Sequence, residues 1–517
     1  MSKPVVQIAF NATVAKIFGG DEEARDSIAA LTSYYVEGYE HTTRYQNGTW
    51  DGRSTFFRYG NDTFPSGFAM IVIDELRTLG YDVKVVTKAP PVPLGPERPV
   101  IDDLGYHEDY DYQPETVDRL VKLGRMIARV ATGGGKSRIA RIAHARIGRR
   151  TLFITTRQLL MYQMRDGFVE SGYNVGVIGD GEWSPIMDDH AINVAMVQTL
   201  AQRLEEPDEW DSSAAAERQR RVRQKTLDFL STVDLIIAEE AHEAGGVGYF
   251  NVVNSCKNAY YALALTATPF MRGDAEANMR LMARFGRIGI EISEEMLIDR
   301  GVLATPYFRY ASTAKPKKLY KTTAYQRAVE LGITDNEHRN AEIVEHCLTA
   351  AEYGLTTMIL VGRKTHGSTL EKLLKANGLR VKFIFGESKG DARKKALAAL
   401  GNNELDVLIG STILDVGVDV PSVGTVVLAG GGKAEVSLRQ RIGRGLRRKK
   451  TGPNVCPVLD FTDEFNNHLA DHAKERKKIV SSTKGFGERI LKANRKFDYE
   501  ALGFKKVREI TRELLAA

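Results

Sequence analysis

The sequence predicts an α/β protein built around two doubly wound parallel sheets in tandem. Short apolar runs alternate with helical patterns along most of the chain, which favours parallel strands covered by helices on both faces. The runs form two groups, and each group is large enough for one sheet. The first group is 151–155, 193–197, 235–238 and 262–265, and the second is 357–361, 381–385, 407–409 and 425–429.

The chain is too long for one hydrophobic core, because its 517 residues exceed the usual size of a single domain. Five of the sixteen prolines lie in residues 89–99, which we interpret as a stiff linker, with a surface loop inside one domain as the alternative. Four regions follow from this division. They are an N-terminal α+β domain with its linker (1–99), two sheet domains (100–305 and 306–465) and a basic helical extension (466–517).

The N-terminal region mixes strands and helices. A helical pattern covers residues 21–36, and Asp51-Gly52 predicts a hairpin turn that leads into a strand. A helix is expected from Phe64-Pro65 through Leu79, followed by a strand at 82–86.

Composition indicates a globular protein in a reducing compartment. Hydrophobic residues make up 43% and charged residues 27% of the chain, and the net charge of +6 permits a polyanionic partner. The three cysteines show no CxxC spacing, which argues against a zinc site or a disulfide framework. No apolar run reaches about 18 residues and the N-terminus has no signal-peptide core, so we expect a cytoplasmic protein without a membrane span.

A glycine-rich stretch, ATGGGKS at Ala131–Ser137, lies between a predicted strand and a predicted helix. In such a loop the backbone N–H groups of Thr132, Gly133, Gly134 and Gly135 surround a phosphate, and the helix N-terminus adds positive potential. Lys136 would reach the β- and γ-phosphates, and Ser137 would ligate Mg²⁺. The alternative is a purely structural turn, since Val130 stands where the full pattern has glycine.

Two adjacent acids, Glu239 and Glu240, end the apolar run at 235–238. Ligands of parallel sheets bind at the carboxyl ends of the strands, which would place both acids beside the phosphate loop. Glu239 would hold Mg²⁺ directly or through water, and Glu240 would orient and activate the attacking water. The alternative is a solvated pair of acids at a strand end.

A late basic string, QRIGRGLRR at 440–448, carries two arginines three residues apart. If the two sheet domains face each other, Arg444 and Arg447 can stabilise the charge that develops on a γ-phosphate. The alternative is a solvated basic helix.

These motifs, in this order, resemble those of the DEAH-like superfamily-two helicases. The further matching segments are Gln113 in DYQPETV, TTRQLLMYQ (155–163), VAMVQTL (194–200), TATP (266–269), LVGRKTHGSTL (360–370), GESKGDARKKAL (386–397) and GSTILDVGVDVPSV (410–423). The N-terminal TWDGR, FPSGF and LGYDV segments are similar to the opening domain of the UvsW-type helicases of tailed phages. The sequence departs from the family pattern at Glu239, where Asp is usual, and at the Gly134-Gly135 pair. Because a water-mediated contact can absorb one methylene, we still expect activity.

The resemblance implies two RecA-like domains that use ATP and Mg²⁺. It implies that Gln113 reads adenine, that Gly417 and Asp419 contribute to the nucleotide site, and that Gln440 belongs with the catalytic arginines. It also implies nucleic-acid contacts, which are sequence-independent when made to phosphates. The expected contacts are Thr156, Arg157, Gln198, Thr199, Arg363 and Thr412.

The expected function is ATP-dependent unwinding or remodelling of branched DNA, such as forks, junctions and R-loops, in replication, recombination or repair. RNA or a DNA–RNA hybrid is a possible substrate. We expect a monomer, located in the host cytoplasm if a phage encodes it. One alternative is the motor subunit of a restriction or remodelling assembly, which translocates on duplex without separating strands. Another is a nucleotide-binding scaffold without turnover, against which the intact motif residues argue.

Overall fold

A computed structural model describes residues 3–87, 89–270, 274–385, 390–410, 423–432, 438–439, 442–443, 445–449, 451–493 and 495–510. The chain divides into two compact units. The first is Met1–Val130 with Gly135–Ile292, and the second is Ala131–Gly134 with Ser293–Ala517. In the described part of the chain no helix is both long enough and apolar enough to cross a membrane.

The N-terminal module of the first unit comprises residues 3–87. Its strands are β1 (Val6–Phe10), β2 (Val14–Gly19), β3 (Ser33–Tyr35), β4 (Arg53–Thr55), β5 (Thr63–Pro65) and β6 (Val83–Thr87), and its helices are α1 (Glu22–Leu31), α2 (Thr43–Gln46) and α3 (Ala69–Thr78). Four strands form a sheet in the order β5-β2-β1-β6, in which only the β1–β6 pair is parallel.

Three local expectations for this module differ from the structure. The helical pattern at 21–36 ends early, because α1 stops at Leu31 and residues Ser33–Tyr35 form β3. The strand after Asp51-Gly52 pairs with β3 and not across that turn, so no two-residue hairpin forms there. Residues Thr63–Pro65 form β5 against β2, and the helix expected from Phe64-Pro65 begins at Ala69. Pro65 fits because β5 is an edge strand, where the missing N–H breaks no ladder.

The rest of the first unit is an eight-stranded sheet in the order β10-β9-β11-β8-β12-β13-β7-β14. All neighbours are parallel except β9 and β10. Its strands are β7 (Arg125–Val130), β8 (Thr151–Thr155), β9 (Val175–Gly179), β10 (Glu182–Ser184), β11 (Ile192–Met196), β12 (Leu235–Glu239), β13 (Tyr261–Thr266) and β14 (Ile288–Ile292). Its helices are α4 (Tyr112–Leu123), α5 (Lys136–Ile147), α6 (Gln158–Glu170), α7 (Val197–Leu204), α8 (Ala214–Ser231), α9 (Val247–Ser255) and α10 (Ala275–Phe285).

The second unit holds a six-stranded, fully parallel sheet in the order β15-β20-β19-β16-β18-β17. Its strands are β15 (Thr305–Ala311), β16 (Thr357–Leu360), β17 (Val381–Ile384), β18 (Val407–Gly410), β19 (Thr425–Leu428) and β20 (Val455–Phe461). Its helices are α11 (Glu294–Asp299), α12 (Tyr325–Val329), α13 (Glu337–Glu352), α14 (Lys364–Ala376), α15 (Gly390–Gly401) and α16 (Asn467–Ser482). The predicted fold class, two tandem doubly wound parallel-sheet domains, is confirmed.

The C-terminal region begins with the expected helix, α16. Its buried Arg476 donates to both carboxylate oxygens of Asp460 in β20, at 2.9 Å each. Beyond α16 the chain follows a largely irregular path on the second unit, where Arg508 donates to Asp406 Oδ1 at 2.6 Å.

The N-terminal module shares its hydrophobic core with the first large sheet domain. Phe250, Met279 and Met282 from that domain pack against the module's buried residues. The fully buried Arg284 of α10 donates to the carbonyls of Ala12 in the module and of Ala259 in the sheet domain. Burial lowers the pKa of Arg284 to about 10, so it stays charged at neutral pH.

The proline-rich segment 89–99 has no helix or strand, but it is held against the sheet domain. The N–H of Leu94 donates to Ile147 O at 2.9 Å, Arg146 donates to Gly95 O at 2.7 Å, and Tyr261 Oη donates to Pro91 O at 2.7 Å. The segment is therefore anchored, and the division of the chain into four regions stays a prediction.

Replacing Arg284 with Met should loosen the N-terminal module. Two buried carbonyls lose a charged donor, so we expect a cost of about 3 kcal/mol. Limited proteolysis should then release a fragment of the first 99 residues earlier than in the wild type. The control is Arg287→Met, which removes an exposed ion pair to Asp74 and should cost less than about 1 kcal/mol. Equal protease resistance of the Arg284 variant and the wild type would contradict the docking role.

Candidate nucleotide-binding site

The phosphate loop connects β7 to α5, and its backbone requires glycine at two positions. Gly133 and Gly135 have φ values of 89° and 81°, in the left-handed region that L-residues with side chains avoid. The N–H of Gly134 donates to Ala131 O at 3.0 Å, which closes the turn. The N-cap residue of α5 is Gly135, which has no side chain to cap the first turn, and the N-terminus of a helix carries positive potential that favours an anion.

Lys136 and Ser137 open α5, at the positions predicted for the phosphate and metal contacts. Lys136 Nζ donates weakly to Val130 O at 3.4 Å and is half-buried, whereas Ser137 is partly exposed. The charge of Lys136 also acts on Glu239, whose pKa it lowers. The structure therefore brings this part of the loop to the predicted metal-holding acid.

Glu239 is the last residue of β12, a strand in the middle of the eight-stranded sheet. Only 5% of its surface is exposed, and its Oε2 is buried and accepts no hydrogen bond from the residues that the structure describes. Burial raises the pKa of Glu239 to about 7, and neighbouring Glu240 adds to the shift. A buried acceptor without a donor, together with a serine hydroxyl on the loop, suits Mg²⁺, which prefers one or two carboxylates together with substrate phosphates and water.

The described residues contain no group of three or more His, Cys, Asp or Glu that could hold a metal. Mg²⁺ bound with a nucleotide needs few protein donors, because one carboxylate and one hydroxyl would share the ion with the phosphates and water. The residues present therefore fit Mg²⁺ bound together with ATP.

Glu240 has a different environment from Glu239, because the backbone turns sharply between them. Its φ of 51° is in the left-handed region, which is uncommon for a residue with a side chain. Its carbonyl accepts from the N–H of Glu243 at 2.9 Å, in the short 3₁₀ turn that follows β12. The left-handed backbone separates the half-buried Glu240 from the buried Glu239. A half-buried carboxylate fits the predicted role of Glu240, which is to orient and activate the attacking water.

Gln113, the predicted adenine reader, is the second residue of α4 and is buried against the phosphate loop. Its Oε1 accepts from Arg138 Nη1 at 2.7 Å. A Cβ atom at position 135 would lie 2.3 Å from Gln113 Nε2, so glycine there is needed for space as well as for its backbone angles. Sequence reasoning missed Arg138, which directly follows Ser137 in the sequence, and that adjacency is the one signal that could have identified it.

Four of the predicted nucleic-acid residues lie together after β8 and β11. Thr156 and Arg157 follow β8, Gln198 and Thr199 lie in the first turn of α7, and Gln198 Nε2 donates to Thr156 O at 3.1 Å. Glu243, which sequence reasoning missed, accepts hydrogen bonds from the Thr156 hydroxyl and the Arg157 guanidinium. The 3₁₀ turn at Ala241–Gly245, which follows the two acids, thus contacts two of the predicted nucleic-acid residues through Glu243.

In the second unit the predicted residues are only partly described. Arg363 precedes α14 and donates to the backbone and side-chain oxygens of Gln326 at 3.1 and 2.9 Å. Arg447 is half-buried and forms a backbone bridge with Leu303. The predicted Thr412, Gly417, Asp419, Gln440 and Arg444 lie outside the described residues.

Two family models match the chain in succession. Residues 106–271 match the type III restriction enzyme res subunit, and residues 339–449 match the helicase conserved C-terminal domain. Together with the two parallel-sheet domains, they define the class: the chain is a superfamily-two helicase, an ATP-dependent enzyme. The resemblance predicted from its motifs is confirmed.

Among individual proteins, the chain is similar to the ATP-dependent DNA helicase uvsW of Enterobacteria phage T4, with 23% identity over 86% of this chain and 88% of that protein. It is 25% identical to Putative helicase 22 of Sulfolobus islandicus filamentous virus (isolate Iceland/Hveragerdi) over 45% of this chain. That second match spans only 43% of the viral protein. A solved fragment of a putative HsdR subunit of a type I restriction enzyme from Vibrio vulnificus YJ016 has a similar fold, with a TM-score of 0.52, 19% identity and coverage of 74% of this chain and 67% of that one.

Substitutions of the two acids should have different effects. Glu240→Gln should still bind ATP and Mg²⁺ but lose at least about a hundredfold in hydrolysis, because the water is no longer activated. Glu239→Asp should remain active, whereas Glu239→Gln should need much more Mg²⁺. Mg²⁺ titrations of ATPase activity beside equilibrium ATP binding separate the effects. If Glu239→Gln kept its metal affinity but lost chemistry, and Glu240→Gln hydrolysed normally, the two roles would be reversed.

Glu243→Gln should strengthen binding of single-stranded DNA in the absence of nucleotide. Glu243 competes with phosphate for Arg157, and since the ion pair is partly exposed, the gain should be about threefold. Fluorescence anisotropy with labelled oligothymidine at low salt measures it. Glu115→Gln is the matched control, because it removes the same charge from an exposed ion pair on α4. An equal gain in both variants would mean that only net charge matters.

Proposed function

We propose that this protein is a motor that couples ATP hydrolysis to unwinding or remodelling of branched DNA, such as forks, junctions and R-loops. The observation that carries the proposal is the site on the first sheet. There Lys136 at the start of α5 acts on the buried Glu239, the turned Glu240 follows at the end of β12, and the 3₁₀ turn after it contacts Thr156 and Arg157 through Glu243. Nucleotide and DNA would therefore act on the same short turn.

In the proposed mechanism, Lys136 and the loop N–H groups bind the phosphates, and Ser137 with Glu239 would hold Mg²⁺, which supplies charge neutralisation on the phosphates. Glu240 orients and deprotonates the attacking water.

Gln440, Arg444 and Arg447 would stabilise charge on the departing phosphate. Gly417 and Asp419 would contribute to nucleotide binding.

The proposed DNA path uses phosphate contacts, which suit movement over any sequence. Its residues on the first unit are Thr156, Arg157, Gln198 and Thr199, and Arg363 and Thr412 would contribute from the second. DNA as the substrate is supported by the similarity over most of the chain to a protein described as an ATP-dependent DNA helicase. RNA or a DNA–RNA hybrid is the other polymer to test. We further propose that the protein acts as a monomer in the cytoplasm.

The N-terminal module would contribute to DNA binding through exposed groups and not through its inner aromatics. Phe57 is buried, and Phe56 packs on Phe68 and Phe250, with ring centroids 5.8 and 6.0 Å apart. Tyr59 is 51% exposed, and the guanidinium of Arg53 lies 4.6 Å from the ring of Tyr35. Aromatic and arginine side chains at a surface can stack on bases and hold phosphates.

A second candidate is a motor subunit that translocates on duplex without separating strands. The match of residues 106–271 to the type III restriction enzyme res subunit favours keeping it. The two functions differ in strand separation. A triplex-displacement assay measures translocation along duplex, and an unwinding assay measures strand separation, so the two assays together distinguish them.

ATPase activity should be stimulated by DNA, and most by forks or junctions. The panel compares single-stranded DNA, duplex, fork, Holliday junction, RNA and hybrid, followed by unwinding of whichever stimulates. Lys136→Ala is the inactive control and should lose at least about a hundredfold in turnover, because it lacks the cation facing the β- and γ-phosphates. Triplex displacement without unwinding would support the translocase, and no stimulation by any polymer would refute both.

A further inference from the structure

Arg138, in the first turn of α5, links the side chains of Asp102 and Gln113 in a largely buried relay. Asp102 accepts from Arg138 Nε and Nη2, both at 2.9 Å, and Arg138 Nη1 donates to Gln113 Oε1 at 2.7 Å. Arg138 is 9% exposed and Gln113 is 2% exposed. The hydrogen bonds from Arg138 hold the pKa of Asp102 below its usual value, so the pair is charged at neutral pH.

The relay determines which way the Gln113 amide faces. A glutamine side chain carries one acceptor end and one donor end of almost equal shape, whereas a guanidinium only donates. Arg138 therefore selects the orientation in which Oε1 faces it and Nε2 faces Gly135. Asp102 holds Arg138 in place by accepting at two of its nitrogens.

A fixed amide distinguishes the two purines. Adenine presents a donor at N6 and an acceptor at N7, which match the Oε1 and Nε2 of one glutamine. Guanine presents acceptors at both O6 and N7, so its O6 would oppose Oε1. An amide oxygen has two lone pairs, so a hydrogen bond from Arg138 does not by itself exhaust its capacity to accept.

We propose that Arg138 and Asp102 are positioning residues that give the nucleotide site its preference for adenine, by fixing the orientation of Gln113. This inference rests on the proposed ATP-driven function, together with the prediction that Gln113 reads the base. Neither Arg138 nor Asp102 is assigned a contact with the phosphates or the metal. Their loss should therefore affect recognition of the base and leave recognition of the phosphates intact.

Arg141 provides a matched control on the same helix. Its Nη2 lies 3.4 Å from Asp102 Oδ2, and its Nη1 donates to Ser171 at 3.0 Å. Arg141→Met thus removes an arginine beside the same carboxylate without removing the hydrogen bond to Gln113.

The test measures equilibrium binding of fluorescent ATP and GTP analogues with Mg²⁺, and displacement by tripolyphosphate as a probe without a base. Arg138→Met should weaken ATP binding about tenfold, the effect of losing one charged hydrogen bond, and so remove the preference over GTP. Tripolyphosphate binding should stay within about twofold of the wild type, because the loop and Lys136 are unchanged. Arg141→Met should behave like the wild type, and adding Arg138→Met to Gln113→Ala should cause no further loss.

Three results would overturn the inference: equal losses of ATP and tripolyphosphate binding, losses that multiply in the double variant, or an unchanged preference for ATP in Arg138→Met. If Arg138→Met unfolds, Arg138→Lys keeps the charge, and since its single ammonium lacks the guanidinium fork, the ATP preference should still fall. An unchanged preference in that variant would likewise overturn the inference. Because binding is measured without hydrolysis, these results are independent of whether DNA stimulates the ATPase, which tests the proposed function.

Discussion

Burial of the Glu239 carboxylate is the constraint on which the nucleotide site depends. Parallel pairing of β12 with β8 and β13 removes this carboxylate from water. The penalty appears as a pKa raised to about 7, which the charge of Lys136 offsets in part. An unpaired buried carboxylate is unfavourable, so the folded sheet holds an acceptor whose natural partner is a cation. Substituting Glu for the usual Asp extends that acceptor by one methylene from the same strand end.

The turn after β12 connects three parts of the first unit. It starts with Glu239, passes through the left-handed Glu240, and reaches Thr156 and Arg157 by way of Glu243. These connections are the hydrogen bond from the N–H of Glu243 to Glu240 O and the contacts of the Glu243 carboxylate with Thr156 and Arg157. The residues predicted to contact the nucleotide and those predicted to contact nucleic acid are thus connected within the first unit.

The N-terminal module is part of the same compact unit as the first large sheet. Its core continues into α9 and α10 through Phe250 and Met282, and Arg284 joins carbonyls of both parts. Removing residues 1–99 would therefore uncover apolar surface and leave a buried cation without one of its acceptors. Substitution of exposed residues such as Arg53 is a cleaner way to examine the module than truncation.

Local sequence patterns are enough to predict the strands and the loop that hold the candidate nucleotide-binding residues. The strand predicted at 151–155 has its observed bounds, and the run at 235–238 ends one residue before the observed end of β12. Buried parallel strands are continuous apolar runs, and the phosphate loop needs its glycines for local backbone reasons, so both are visible in the sequence. Strands β14, β15 and β20 are not predicted, because their pattern is less uniform. The helix start predicted at Phe64-Pro65 is wrong, since the pairing of Pro65 with Val14 is invisible locally.

The sequence by itself therefore determined the class of fold, the phosphate loop and the two acids, because each depends on residues that are neighbours along the chain. Only the tertiary structure decided which side chains support them. Arg138 meets Gln113 and Asp102 across 25 and 36 positions, Glu243 meets Arg157 across 86, and Arg284 meets Ala12 across 272. Such contacts arise when packing brings distant segments together and buried polar groups must find partners, a requirement that no local pattern records.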